Sequence, residues 1–419
     1  MLMSQYFVKT SKEAPKDEQS KNAQLLIRAG YIHKEMAGVY DFLPLGFKTL
    51  HKIINIIRDE MNSLGAFEMQ MSALQSKELW EATDRWSDEK VDVWFKTSLQ
   101  SGSELGLGFT HEEPFTAMMR RFISSYKDLP VLVYQFQRKF RNELRAKSGI
   151  MRTREFIMKD LYSFARDEKE QQEIYNKVSD SYVRIFQRLG LHEHTYKTFA
   201  SGGVFSKYSH EFQTLTEAGE DIIYVDKDKK IAVNEEVLSG DVLEDLRIKK
   251  EELEKAKASE VGNIFNLGTR FSEPLGLYYK NESGQEIPVY MGSYGIGPAR
   301  VFGVIVELFS DDDGLVLPLQ IAPFAVYIIS INQDEKARKL YDDLQNKGFE
   351  CILDDRSESV GTKLKDADLL GIPFRVVVSD KSLQEGGFEL KERKGGKTQI
   401  VSETELLHFL NKKYEKVDR

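Results

Sequence analysis

Cysteine is almost absent from this chain: Cys351 is the one example in 419 residues. That excludes an intramolecular disulfide and any zinc site built on several thiolates. A reducing, cytoplasmic setting is the natural expectation. Long apolar runs are missing too. Nothing approaches the roughly 18 residues needed to span a bilayer, so no membrane partner is expected. Met1 to Lys21 is polar and mixed in charge, without the apolar centre of a signal peptide. Nor is there an excess of basic residues; the net charge is −8. Any nucleic acid must therefore be met by local basic patches, with salt-sensitive affinity. No repeat or low-complexity tract interrupts the chain. What remains is a globular composition, 41% apolar and 30% charged, with length for two or three domains.

Periodicity supplies an outline. Leu50, Ile53, Ile54, Ile57, Met61 and Leu64 form one helical stripe that Gly65 can close. Residues 66–71 alternate like a strand, and 22–35 have helical spacing. A helix is expected from Lys169 to Leu189, then strands over 192–199 and 222–233, the first with His192 and His194 on one face. Residues 235–258 are highly charged and read as helix plus linker, and 261–268 as strand. After Asp311-Asp312-Asp313-Gly314 and Pro318, short apolar strands alternate with helices. That pattern indicates a separate α/β domain with a mostly parallel sheet.

Two stretches carry chemistry. Phe140-Arg141-Asn142-Glu143 is followed by a polar loop and then by Arg152-Thr153-Arg154-Glu155-Phe156-Ile157-Met158-Lys159-Asp160. Two strands joined by a loop would place these side chains together. Arg141 can fork donors onto a phosphate or carboxylate, and Arg152 can clamp a second phosphate. Glu143 only accepts, which suits an exocyclic amine, and Phe156 offers a ring face to a base. The second stretch, Met291-Gly-Ser-Tyr-Gly-Ile-Gly-Pro-Ala-Arg300, is a glycine-rich strand entering a helix. Its arginine lies near a helix N-terminus, where anions are favoured. Taken singly, the first could be a charged surface hairpin and the second a packing contact.

Together, and in this order, they resemble motifs 2 and 3 of the class II aminoacyl-tRNA synthetases. The helix and strand over 47–74 resemble motif 1, with Ser72 where the family usually has proline. Further runs resemble the bacterial-type prolyl-tRNA synthetase family. These are Thr110-His111-Glu112, Tyr134 to Arg141, Ser209-His210-Glu211-Phe212-Gln213, Asp354-Asp355-Arg356 and Leu370-Gly371-Ile372-Pro373. Asn263 replaces a histidine often seen in that family. The resemblance covers nearly the whole chain.

It implies an α/β (α+β) fold. Residues 1–318 would form the antiparallel-sheet catalytic domain and 319–419 a smaller α/β anticodon-binding domain. Within the catalytic domain, between motifs 2 and 3, 237–260 would be a short helical linker in place of the editing domain that many bacterial relatives carry. The implied substrates are ATP with Mg2+, proline and tRNA(Pro), and the implied assembly is a homodimer. Arg141 would be catalytic, touching both the amino-acid carboxylate and the α-phosphate. Glu143 and Phe156 would fix adenine, with Arg152 and Arg300 on the γ-phosphate. Thr110 and Glu112 would accept the two N–H groups of proline, bordered by His210, Ser293 and Gly295. His111 would point away. Asp354 and Asp355 would accept from guanine edges, with Arg356, Lys363 and Lys365 on phosphates or bases. Without an editing site, clearance of mischarged tRNA would fall to a separate deacylase. The alternatives are another class IIa synthetase, or an inactive synthetase-like RNA-binding protein. The second would have lost the arginines that are present here.

Overall fold

The computed structural model describes residues 1–144, 146, 148–201, 208–246 and 248–415. The chain divides into two compact units. One gathers Ala37–Val39 and Ile56–Val304; the other gathers Met1–Met36, Tyr40–Asn55 and Ile305–Arg419.

The first unit is built on a nine-stranded sheet. Its strands, numbered along the chain, are β1 (Phe67–Glu68), β2 (Val131–Phe140), β3 (Glu155–Ala165), β4 (Thr195–Ser201), β5 (Tyr208–Leu215), β6 (Asp221–Asp226), β7 (Ile231–Asn234), β8 (Glu254–Gly268) and β9 (Tyr290–Ile296). The order is β5-β4-β7-β6-β8-β9-β3-β2-β1, and β5 also pairs with β8. All neighbours are antiparallel except β4 with β7 and β1 with β2. The extra pairing closes β4 to β8 into a ring around Tyr196, Ile223, Val225, Ala232 and Ala258. The helix Glu168–Arg188 covers the sheet with Ile174, Tyr175, Val178, Tyr182, Ile185 and Phe186, and Asp167 caps its start.

Some expectations are corrected here. The segment 237–260 is not mainly helix. After the short helix Gly240–Asp245, β8 begins at Glu254. Ala256 and Ala258 face the ring interior while Lys255 and Lys257 face out, a period of two hidden by small inward residues. His192 and His194 lie in a 3-10 turn, not on a strand face. Only Phe67–Glu68 of 66–71 is strand.

The second unit carries a five-stranded sheet. Val326–Ile331, Cys351–Asp354 and Phe374–Ser379 run parallel, and Phe388–Glu392 and Gln399–Val401 extend it antiparallel. The helices Asp334–Asn346, Val360–Leu370 and Glu403–Glu415 alternate with the strands. Ile328, Leu340, Leu344, Leu353, Val376, Leu390, Leu406 and Leu410 form its core. This agrees closely with the sequence pattern, because buried parallel strands read as continuous apolar runs. Residues 22–35, read with helical spacing, are the helix Lys21–Arg28, closed near Gly30, and the strand Ile32–Met36, which pairs with Val39–Phe42.

Candidate active site

Register brings the two chemical stretches together. Gly295 of β9 lies opposite Asp160 of β3 on one side and Asn263 of β8 on the other. A Cβ on Gly295 would stand 2.8 Å from Asn263 Oδ1, so a side chain there would push the asparagine amide aside. The Asn263 amide accepts the Gly295 N–H at 3.0 Å and donates to Glu260 at 2.8 Å. That bridge is the physical account of asparagine at this position.

An open cleft of about 490 Å³ is lined by Arg141, Glu143, Arg152, Phe156, Gly295 and Arg300, among others. Arg141 leaves the end of β2. Its Nε and Nη2 reach the Phe109 carbonyl at 3.4 and 3.5 Å, long contacts that leave the donors capacity for an anion. Its guanidinium lies over the Phe156 ring at 5.3 Å. Burial, and then the nearby charge of Arg300, pull Arg141 below its usual pKa. Arg300, in the first turn of Pro298–Phe309, donates to the carbonyls of Met151 at 2.9 Å and Glu260 at 2.7 Å. Arg152 pairs with Glu143 at 2.8 Å and Glu220 at 2.5 Å. Glu220, Asp221 and Glu260 line an adjoining recess with the same three arginines.

A second cluster forms where the helix Glu112–Met119 begins. Thr110 Oγ1 donates to Glu112 Oε2 at 2.6 Å, and Ser293 Oγ to Glu112 Oε1 at 3.2 Å. Three of the predicted amino-acid contacts thus converge. His210 is held differently: its Nδ1 meets the Tyr175 hydroxyl at 2.6 Å and its ring packs edge-on to Phe199. Burial, with Lys197 adding to it, lowers its pKa to about 3, so it is neutral near pH 7.

His111 does point away, into a buried network. Lys139 Nζ reaches His111 Nδ1 at 2.6 Å and Asp160 at 2.8 Å. Since an ammonium only donates, the imidazole proton sits on Nε2, facing the Ser72 carbonyl at 3.2 Å. Burial pulls His111 down to about 4. The Tyr162 hydroxyl joins this network to the site, 3.2 Å from Asp160 and 3.5 Å from Glu112. Sequence reasoning missed Tyr162, Asp160, Lys139 and Arg85. The last sits among Trp80, Phe109 and Phe271. The signal that could have found it is a single arginine amid three nearby tryptophans.

In the second unit the predicted anticodon readers are mostly occupied. Asp354 is fully buried and accepts from Tyr327 at 2.9 Å and Arg356 at 2.7 Å. Arg356 also binds Asp366 at 2.8 Å. Lys363 is buried, with its Nζ 3.2 Å from the carbonyls of Ser330 and Asp354. Asp355 accepts the backbone N–H and hydroxyl of Ser4 at 2.8 and 2.6 Å. Lys365 is exposed. Asp354 and Lys363 are therefore corrected from base or phosphate contacts to internal supports: neither reaches the surface.

Comparison with known proteins agrees with this geometry. Residues 95–309 match the tRNA synthetase class II core domain (G, H, P, S and T), and 325–413 match an anticodon binding domain. The proline–tRNA ligase of Bartonella henselae is 36% identical over 98% of this chain and 99% of its own length. That of Agrobacterium fabrum is 35% identical over 96% and 98%. The prolyl-tRNA synthetase of Cryptosporidium parvum, solved with halofuginone and AMPPNP, superposes with a TM-score of 0.79. It is 17% identical, over 94% of this chain and 77% of that one. The Giardia lamblia enzyme, solved with prolyl-adenylate, has a TM-score of 0.75 at 21% identity, over 91% and 74%. The structural likenesses speak to fold, and the sequence relatives to lineage. With a class II core and a near-full-length match to these ligases, the chain belongs to the class II aminoacyl-tRNA synthetases, in the proline–tRNA ligase family.

Proposed function

We propose that the cleft joins proline to ATP and then to tRNA with the following division of labour. The observation that carries it is the place of Arg141. It lines the cleft with Arg152 and Arg300, and it touches the carbonyl of Phe109, one residue before the Thr110–Glu112 cluster. Activation brings two anions together: the proline carboxylate attacks the α-phosphorus of ATP, and pyrophosphate leaves. Such a step is served by aligned cations rather than by an acid–base pair. Arg141 holds both the carboxylate and the α-phosphate. Phe156 and Glu143 fix adenine, with Glu143 exchanging Arg152 for the exocyclic amine. Arg152 and Arg300 take the γ-phosphate. Thr110 and Glu112 accept the two N–H groups of the prolyl ammonium, Ser293 and Gly295 form the floor, and His210 supports the border through Tyr175. The terminal ribose hydroxyl of tRNA(Pro) then attacks the prolyl carbonyl, and AMP leaves.

The residues at the phosphate end suit Mg2+. Glu260 and Asp221 are hard oxygen donors beside the same arginines, and burial, with Glu260 adding to it, holds the Asp221 carboxyl above its usual range. Glu260 and Asp221 would hold the ion, which when bound offsets the negative charge of the triphosphate.

The functional division falls near residue 318, with the catalytic domain before it and the anticodon-binding domain after. At the anticodon end the available groups are Lys365 and the outward parts of Asp355 and Arg356. A homodimer is supported by β1, which ends the sheet and carries an exposed Phe67. A cytoplasmic setting fits the single buried cysteine. Editing is not self-contained. A pocket that fits proline also admits alanine, because missing methylenes give only about 1–3 kcal/mol of discrimination each. Preformed alanyl-tRNA with the proline anticodon should survive incubation with the purified enzyme and need a separate deacylase.

The decisive experiment is ATP–pyrophosphate exchange across all twenty amino acids without tRNA. Proline should stimulate it best. Stronger stimulation by another amino acid overturns the reading.

A further inference from the structure

Arg85 belongs to no motif, yet it is fixed from several sides. Its guanidinium lies 5.2, 5.4 and 5.3 Å from the rings of Trp80, Phe109 and Phe271. Its backbone N–H donates to the Trp80 carbonyl at 2.9 Å, and the Trp94 indole donates to its carbonyl at 3.0 Å. A side chain enclosed this way has one place to put its charge. Nη1 pairs with Glu113 Oε1 at 2.9 Å and stands 3.6 Å from Glu112 Oε2. Glu113 is fully buried and also accepts from Thr83 at 2.8 Å.

The two adjacent carboxylates therefore share one arginine unequally. A carboxylate that receives a substrate ammonium has two requirements: it must be ionised, and it must keep lone pairs for the substrate. A close two-donor ion pair would meet the first and defeat the second. An arginine tied to the neighbour and held just beyond hydrogen-bond reach meets both. The remaining groups on Glu112 are the hydroxyls of Thr110, Ser293 and Tyr162, which fix its orientation.

We propose that Arg85, anchored on Glu113, is a positioning residue for amino-acid recognition, lending charge to Glu112 while leaving its oxygens to the substrate ammonium. This rests on the reading of Glu112 as the acceptor of the prolyl ammonium.

The test uses the full-length enzyme in proline-dependent pyrophosphate exchange, with melting temperatures to establish folding. Arg85→Gln should raise KM for proline at least tenfold and leave KM for ATP within twofold. Arg85→Lys should recover part of the loss, because it keeps the charge; it also stands in should the glutamine variant fail to fold. Glu113→Gln frees Arg85 to close on Glu112 and should also raise KM for proline. In the Arg85→Gln background, the same change should add little. Equal effects on KM for ATP, or losses that multiply in the double variant, overturn the proposal. Glu112→Gln separates the two layers. If it leaves KM for proline unchanged, the reading of Glu112 fails. If it abolishes proline use while Arg85→Gln is silent, only the role of Arg85 fails.

Discussion

Arg300 in the cleft and Arg356 in the C-terminal sheet are each fixed by several oxygens, but the oxygens differ. Arg300 rests mainly on two backbone carbonyls, those of Met151 and Glu260, with the Glu260 carboxylate farther off at 3.5 Å. Arg356 is clasped by the carboxylates of Asp354 and Asp366. A carbonyl orients a guanidinium and leaves its charge in place. A carboxylate orients it and cancels the charge. The first arrangement waits for an anion; the second holds a loop to a helix. Sequence pattern alone treats both arginines alike; the partner chemistry gives Arg356 an internal bracing duty besides any outward contact.

The comparison can be broken most directly at Asp354. Asp354→Ala should destabilise the protein by about 3–5 kcal/mol, because Arg356 loses one buried partner and the Tyr327 hydroxyl loses its acceptor. Chemical denaturation measures this. Pyrophosphate exchange by the folded fraction should be unchanged; a large loss of exchange would place Asp354 in the catalytic machinery. The converse is Arg141→Ala. It should cost about 3–4 kcal/mol of transition-state stabilisation in exchange and little stability, since its carbonyl contacts are long. Exchange close to wild type would remove Arg141 from its role.

A smaller effect tests the buried network behind the site. His111 is held at about 4, below its ordinary 6.5, so the folded protein keeps it neutral while the unfolded chain takes up a proton. Its contribution to stability is whole above pH 6.5 and is lost as pH falls toward 4, by about 3 kcal/mol in all. Glu113 and Glu211, raised by burial to about 7 and about 8, act in the opposite sense, losing stability as pH rises from 4.5. The informative quantity is therefore the difference between wild type and His111→Gln, which should shrink steadily between pH 6.5 and 4. A constant difference would show that the imidazole does not titrate in this window. The smallest effect belongs to Ser72→Pro. It trades the hydroxyl contact to the Leu74 carbonyl against a stiffer unfolded chain and should shift stability by no more than about 1 kcal/mol. A larger loss would mean that the backbone at residue 72 does not suit proline.

Much of this molecule is legible in its sequence. The alternation of C-terminal strands and helices is legible because parallel strands buried on both faces need unbroken apolar runs, such as Val326–Ile331. The cleft arginines are legible as a group because the two motifs that carry them, with Glu143, Phe156 and the glycines, meet in one cleft. Elsewhere the signal fails for physical reasons. In 254–258 the inward positions are alanines, too small to mark a face. Asp354 and Lys363 look like solvent-facing charges until Tyr327 and Ser330, on a neighbouring strand, supply their partners. Arg85 is marked in the sequence only by the three tryptophans near it, because the rings around it come from three separate segments.

The ring formed by β4 to β8 has a consequence of its own. Because β5 and β6 both pair with β8, these strands brace one another, and β8 then runs on to deliver Glu260 and Asn263 to the cleft. The stretch 235–253, between β7 and β8, takes no part in that strand pairing; its described residues form short turns and one six-residue helix, and Val242, Leu243 and Ile248 pack with Val233 of β7. Foreign sequence spliced into its turns would leave the pairing of β8 with β5, β6 and β9 intact. A chain built this way can gain or lose a whole module at that seam while the chemistry beside it stays in register.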